Sequence, residues 1–123
     1  MGYCSDVALI MKNNALAAVR GHFAINNDVV NTLERARTIS FRDEYTLLCW
    51  MFLKQTESID SIVEYLDNEE YDYHYARVGE EAEDTEEILA EEDDIMNDAF
   101  YIPHSICYSD QVADLLQTET HGS

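Results

Sequence analysis

Carboxylates are the residues in this chain with the greatest capacity for chemistry, with twenty-six Asp and Glu against seven Lys and Arg. Two carboxylates divide acid–base work only where burial or a neighbour separates their pKa values. A run of solvated acids supplies no such separation, so abundance alone carries no catalytic signal. Four histidines (His22, His74, His104, His121) and three cysteines (Cys4, Cys49, Cys107) are scattered along the chain. No Cys-x-x-Cys, Gly-x-Ser-x-Gly or His-Glu-x-x-His occurs, so zinc ribbons, nucleophile elbows and metalloprotease helices lack their defining residues. With only Gly2, Gly21, Gly79 and Gly122 available, no glycine loop cradles phosphate. Asp93-Asp94 and the neighbouring glutamates lack the glycine an EF-hand loop needs at its sixth position. The expectation is a protein that is not an enzyme and uses no metal and no cofactor. His74, among tyrosines, reads as a surface or hydrogen-bonded histidine. Cys49, inside an apolar run, reads as a small core residue.

The distribution of charge says more than its total of −19. Residues 1–54 hold six basic and five acidic residues, a balance of +1. Residues 55–123 hold twenty-one acids and one base, Arg77, a balance of −20. Eleven of those acids fall in residues 80–98. Such a field opposes direct contact with nucleic acid, but it suits a partner with a basic surface.

The elements that must position these charges follow from hydrophobic period. Asp6 to Met11 is a short apolar run and a candidate first strand. Leu16, Val19 and Phe23 recur at helical spacing, predicting a helix over 14–24 with Asn13 or Asn14 as its cap. A second helix follows over 27–36, capped by Asn26 or Asn27. Residues 37–42 alternate as a half-buried strand, Asp43-Glu44 turns, and Tyr45 to Leu53 is nearly all apolar, which predicts a central strand. Ile59, Ile62, Val63 and Leu66 share one face of a helix that starts near Thr56 or Ser58. Tyr71 to Val78 alternates as a strand that places Tyr71, Tyr73 and Tyr75 together. The order β, α in two pieces, β, β, α, β predicts an α+β fold: a ferredoxin-like βαββαβ sheet over 6–78 with helices on one face.

Ile88 and Ile95, and Leu89 and Met96, are seven apart, so the acidic segment 80–98 reads as a helix, continuous or broken, docked by that apolar stripe. At about 1.5 Å per residue it would space its charges about 2.6 Å apart, between the values of about 1.7 Å for duplex DNA and about 3.4 Å for a single strand. Phe100 to Tyr108 is aromatic and β-branched, a candidate fifth strand placed at an edge by Pro103. The chain reads as one domain over 1–117 with a frayed tail over 118–123. Its longest apolar run, Leu47 to Leu53, is far short of a membrane span of about 20 residues. No basic, then apolar, leader opens it, so a cytoplasmic location is expected.

Several segments resemble a family of small acidic bacteriophage-encoded proteins of unassigned function. These are the opening Gly2-Tyr3-Cys4-Ser5-Asp6-Val7-Ala8-Leu9, the strand Leu47-Leu48-Cys49-Trp50, the step Ala76-Arg77-Val78-Gly79-Glu80, and the stretch around Tyr101, Ile102, Ser105 and Ile106. The resemblance implies a phage origin, hence the host cytoplasm, and a compact α+β fold. It implies no catalytic residues. Two departures are Met51-Phe52-Leu53-Lys54 after the tryptophan and the length of the acidic run.

Together these features favour an inhibitor that imitates nucleic acid and occupies a basic surface of a host nuclease, CRISPR or restriction-type defence protein. Its expected contact residues are Glu80, Glu81, Glu83, Asp84, Glu86, Glu87, Glu91, Glu92, Asp93 and Asp94. The alternative is an interaction module whose surface is aromatic, built from Tyr71, Tyr73, Tyr75, Phe100 and Tyr101.

Overall fold

A computed structural model describes residues 5–53, 56–79, 85–91, 93–101, 106–108 and 112–113. It shows an α+β chain built on a five-stranded antiparallel sheet. The first strand, β1 (Ser5–Lys12), is central. Its Val-Ala-Leu-Ile-Met run is fully enclosed on both faces, which a nearly continuous apolar sequence allows. On one side β1 pairs with β3 (Tyr45–Leu53), and β3 with β2 (Arg37–Phe41). On the other it pairs with β4 (Tyr73–Val78), and β4 with β5 (Thr85–Ile88). The sheet order is β2-β3-β1-β4-β5.

Three helices fill the crossovers: α1 (Asn13–His22), α2 (Asn27–Arg35) and α3 (Glu57–Asn68). The first two begin differently. Asn26 caps α2, its side chain accepting from the Val29 amide at 3.2 Å. Asn13, an expected cap of α1, is instead the first residue of that helix, and its side chain is taken up elsewhere. It donates to the Asp43 carbonyl at 2.9 Å and accepts from the Thr46 hydroxyl at 2.6 Å. Its own amide donates to the Glu44 carbonyl. These bonds brace the β2–β3 turn, where Arg42 and Asp43 stand at positive φ (52° and 62°) without a glycine. Each such residue costs roughly 1–2 kcal/mol, and Asn13 helps to offset that.

Alternation along the strands divides the core into two. Val7, Leu9, Met11, Leu48, Trp50, Tyr73 and Tyr75 face the three helices. There Ile59, Ile62, Val63 and Leu66 from α3 meet them, each contributing about 1.5–3 kcal/mol by burial. The Trp50 indole donates to the Thr32 carbonyl at 2.7 Å and ties β3 to α2. Ala8, Ile10, Ile39, Phe41, Leu47, Cys49 and Ala76 face the other way. Helices therefore do not cover the sheet alone, because its second face is covered by the C-terminal segment. That segment contains α4 (Asp94–Asp98) and a small ladder of β6 (Phe100–Tyr101) with β7 (Cys107–Tyr108). Ala90, Met96, Ala99, Phe100 and Val112 are its buried anchors.

Two expectations are corrected here. The acidic segment is not one helix: among its described residues 85–88 are extended and 94–98 are helical. A helix there would set acids three and four apart with no base to relieve them. As a strand it instead satisfies the β4 edge and sets Glu86 opposite Arg77. Phe100 to Tyr108 is likewise not a fifth strand of the main sheet. It folds as a separate two-stranded ladder, and the fifth strand is β5. Pro103 and the tail 118–123 lie outside the described residues, and no described helix is long and apolar enough to cross a membrane.

Candidate functional site

The expected acidic contacts separate into three groups. Glu80, Glu81, Glu83, Asp84 and Glu92 lie outside the described residues. Glu87 and Asp93 hold structural bonds. Glu86, Glu91 and Asp94 are exposed.

Nε2 of His74 stands 2.7 Å from a Glu87 carboxylate oxygen and Nδ1 stands 3.0 Å from the Met96 carbonyl. The imidazole is wholly enclosed and stacks on Phe100 at 4.0 Å between centroids, planes 13° apart. One ring thus joins β4, β5, α4 and β6. With both nitrogens engaged and no surface exposed, it has no reach to a substrate. Asp93 caps α4, accepting from the Ile95 and Met96 amides at 3.1 and 3.3 Å. It also accepts from the Tyr45 hydroxyl at 2.8 Å. Burial first, and that hydrogen bond second, push the Tyr45 phenol up to about 12. Asn97 completes the clamp, bonding the Ala90 amide and carbonyl at 2.8 and 3.0 Å.

Among the described residues, α3 carries a regular row of exposed acids. Glu57, Asp60, Glu64 and Asp67 recur at three- and four-residue spacing, and all four are exposed. They form a stripe about 15 Å long with a charge about every 5 Å. Glu86 continues the field from β5, half exposed and 3.9 Å from Arg77. At the end of α3, Asp67, Glu69 and Glu70 face the negative pole of the helix, and no base stands in its last turn. Each acid placed so costs about 0.3–1 kcal/mol. Glu70 adds a positive φ of 59°. These placements oppose stability, which is expected where surface charge serves another purpose. The three- and four-residue spacing of the stripe is visible in the sequence. Its alignment in one row follows from α3 being a regular helix.

Sheet order converts the uneven charge of the sequence into a direction in space. Arg37 and Arg42 sit on and beside β2, at one edge, with Arg35 ending the adjacent α2. Glu86 and Glu87 sit on β5, at the other edge. Five strands at about 4.8 Å separate those edges by about 19 Å. Asp67 of α3 accepts from Tyr73 of β4 and Glu86 stands on β5, so these two charges lie on the side away from β2.

The aromatic alternative loses most of its anchors. Tyr73, Tyr75 and Phe100 are core residues, 4%, 1% and 1% exposed. Tyr73 donates to Asp67 at 2.7 Å. Burial, then Glu86 and Asp60, push the Tyr75 phenol up to about 12, with Arg77 opposing. Tyr71 is half-buried, and the Tyr101 side chain lies outside those described. The tyrosine face of β4 is under the helices, and its opposite face is under the C-terminal segment.

Among the described residues no group of three or more His, Cys, Asp or Glu is placed to hold a metal ion. Neither a family model, a curated protein nor a solved structure matches the chain.

Proposed function

We propose that this protein is a phage-encoded inhibitor that acts in the host cytoplasm, binding the basic, nucleic-acid-binding surface of a host protein. The carrying observation is the α3 stripe of Glu57, Asp60, Glu64 and Asp67, extended by Glu86 at the β5 edge. Neighbouring charges of the stripe stand about 5 Å apart along the helix, inside the Debye length of about 10 Å at 0.1 M salt, so a partner meets several of them together. Carried on a helix packed against the sheet, they are fixed in place before binding, which lowers the ordering cost. The polarity of the molecule orients it during approach, acidic side first. The target class is a nuclease or a CRISPR or restriction-type defence protein, where an ordered acidic face competes with DNA or RNA for a basic groove.

The strands β2-β3-β1-β4 form two split crossovers, with β3 between β1 and β2 and β1 between β3 and β4. We read these four strands as a ferredoxin-like unit extended by β5. The expected contacts at Glu80, Glu81, Glu83, Asp84 and Glu92 belong to the same proposed interface. Substitution tests the reading. A triple variant, Glu57→Gln, Asp60→Asn and Glu86→Gln, keeps the fold and loses a nucleic-acid-binding partner that the unaltered chain retains. Equal retention by both chains contradicts the proposal.

A further inference from the structure

The end of α1 and the outer side of α3 border a shallow, open cleft of about 480 Å³. Its walls alternate aromatic and acidic character: His22 and Phe23 from the first, Tyr65, Glu64, Asn68 and Glu69 from the second. The rings hold one another in place. His22 stacks on Tyr65 at 4.3 Å with planes 24° apart, and Phe23 meets them edge-on at 4.6 and 5.8 Å. No Lys or Arg is among the described lining residues. Burial first, then the charge of Glu69, raises the Tyr65 phenol above its ordinary value.

A neutral apolar ligand here would strip water from two carboxylates and return nothing to them. A cation answers both the carboxylates and the ring faces. Between the two protein cations, a guanidinium is flat, weakly hydrated and forked, so it stacks on rings while donating to carboxylates on either side. An ammonium is a compact, strongly hydrated charge that does neither as well.

We propose that this cleft receives an arginine side chain of the partner, its guanidinium against the aromatic wall and its N–H groups donating to Glu64 and Glu69. The inference rests on the acidic-interface reading and gives that interface an anchor. The cleft opens along α3, whose Glu64 belongs to both the stripe and the cleft.

The probe is N-acetyl-arginine methylamide, titrated into the intact isotope-labelled protein and followed by amide and aromatic NMR shifts. N-acetyl-citrulline methylamide, of the same shape without the charge, is the control. The expected result is saturable shifts centred on Phe23, Tyr65 and Glu69, with a Kd on the order of 1 mM and roughly tenfold weaker binding of the citrulline compound. The pair Glu64→Gln and Glu69→Gln, and separately Tyr65→Leu, each weaken arginine binding by roughly fivefold or more. The two glutamine changes lie at exposed positions, which separates loss of binding from loss of fold. Citrulline binding equal to arginine, or shifts elsewhere, or an unaffected Glu64/Glu69 variant would overturn the proposal. A protein that fails this test yet keeps a salt-sensitive partner, lost on neutralising Glu57, Asp60 and Glu86, removes the cleft alone. Arginine binding without such a partner removes the wider reading and leaves a cleft with no assigned protein to fill it.

Discussion

Replacing His74 by leucine tests how the C-terminal segment is held on the sheet. Leucine fills most of the imidazole volume and removes both polar contacts. The Met96 carbonyl, 3.0 Å from Nδ1, is left without that partner in an enclosed site, at about 1–3 kcal/mol. The parallel contact with Phe100 at 4.0 Å is lost as well, worth about 0.5–1.5 kcal/mol. The Glu87 side chain is 33% exposed, so water recovers part of its lost bond. Greater apolarity of leucine offsets some of the sum. The net expectation is a loss of about 2–4 kcal/mol, against a total of about 5–15 kcal/mol for a domain. Urea unfolding measures that loss, and hydrogen exchange places it. Amides of α4 and β6 should exchange faster by more than the global change explains, while those facing Ile59 and Ile62 follow the global change. A loss below about 1 kcal/mol, with exchange at 94–101 unaltered, would refute the view of His74 as the clamp.

Three further outcomes are expected. The raised phenols of Tyr45 and Tyr75 favour the folded state while they remain protonated, so that contribution is complete below pH 10. It is lost as pH rises from about 10 to about 12, and an alkaline titration followed by circular dichroism and phenolate absorbance should show unfolding in that window. Ile62→Ala, at a fully buried position on α3, should cost about 2–5 kcal/mol by chemical denaturation. Glu69→Lys at the end of α3 should raise stability by about 0.3–1 kcal/mol, because a cation there complements the helix dipole. The same change should weaken partner capture, a trade that paired unfolding and binding assays reveal.

The parts of the fold readable from the sequence were those decided by local pattern. The runs at β1 and β3, the four-residue face of α3 and the Asn26 cap all report their own burial or geometry. The misread parts depend on residues distant in the chain. Ile88, Leu89, Ile95 and Met96 have a spacing that a helix would accept. What made 85–88 a strand was the open edge of β4, with Arg77 and His74 waiting on its two faces. Alternation showed that Tyr71, Tyr73 and Tyr75 share a side, but not that three helices cover it. Nor did it show that the opposite face, with His74, lies beneath α4 and β6. Of the candidate site, the imbalance of charge was plain in composition. Its direction across the sheet required the strand order, and the alignment of four of its acids in one row required α3 to be a regular helix.

The proposed basic partner would be reached through carboxylates of α3 and β5. That proposal is tested most directly by capturing proteins from bacterial lysate on the tagged chain and on its Glu57→Gln, Asp60→Asn, Glu86→Gln variant, with low-salt, high-salt and duplex-DNA elution identified by mass spectrometry. The expected result is a DNA- or RNA-binding protein that is retained at low salt, released by high salt and by added DNA, and absent from the variant. A partner that survives high salt, ignores DNA and binds the variant equally well would contradict it.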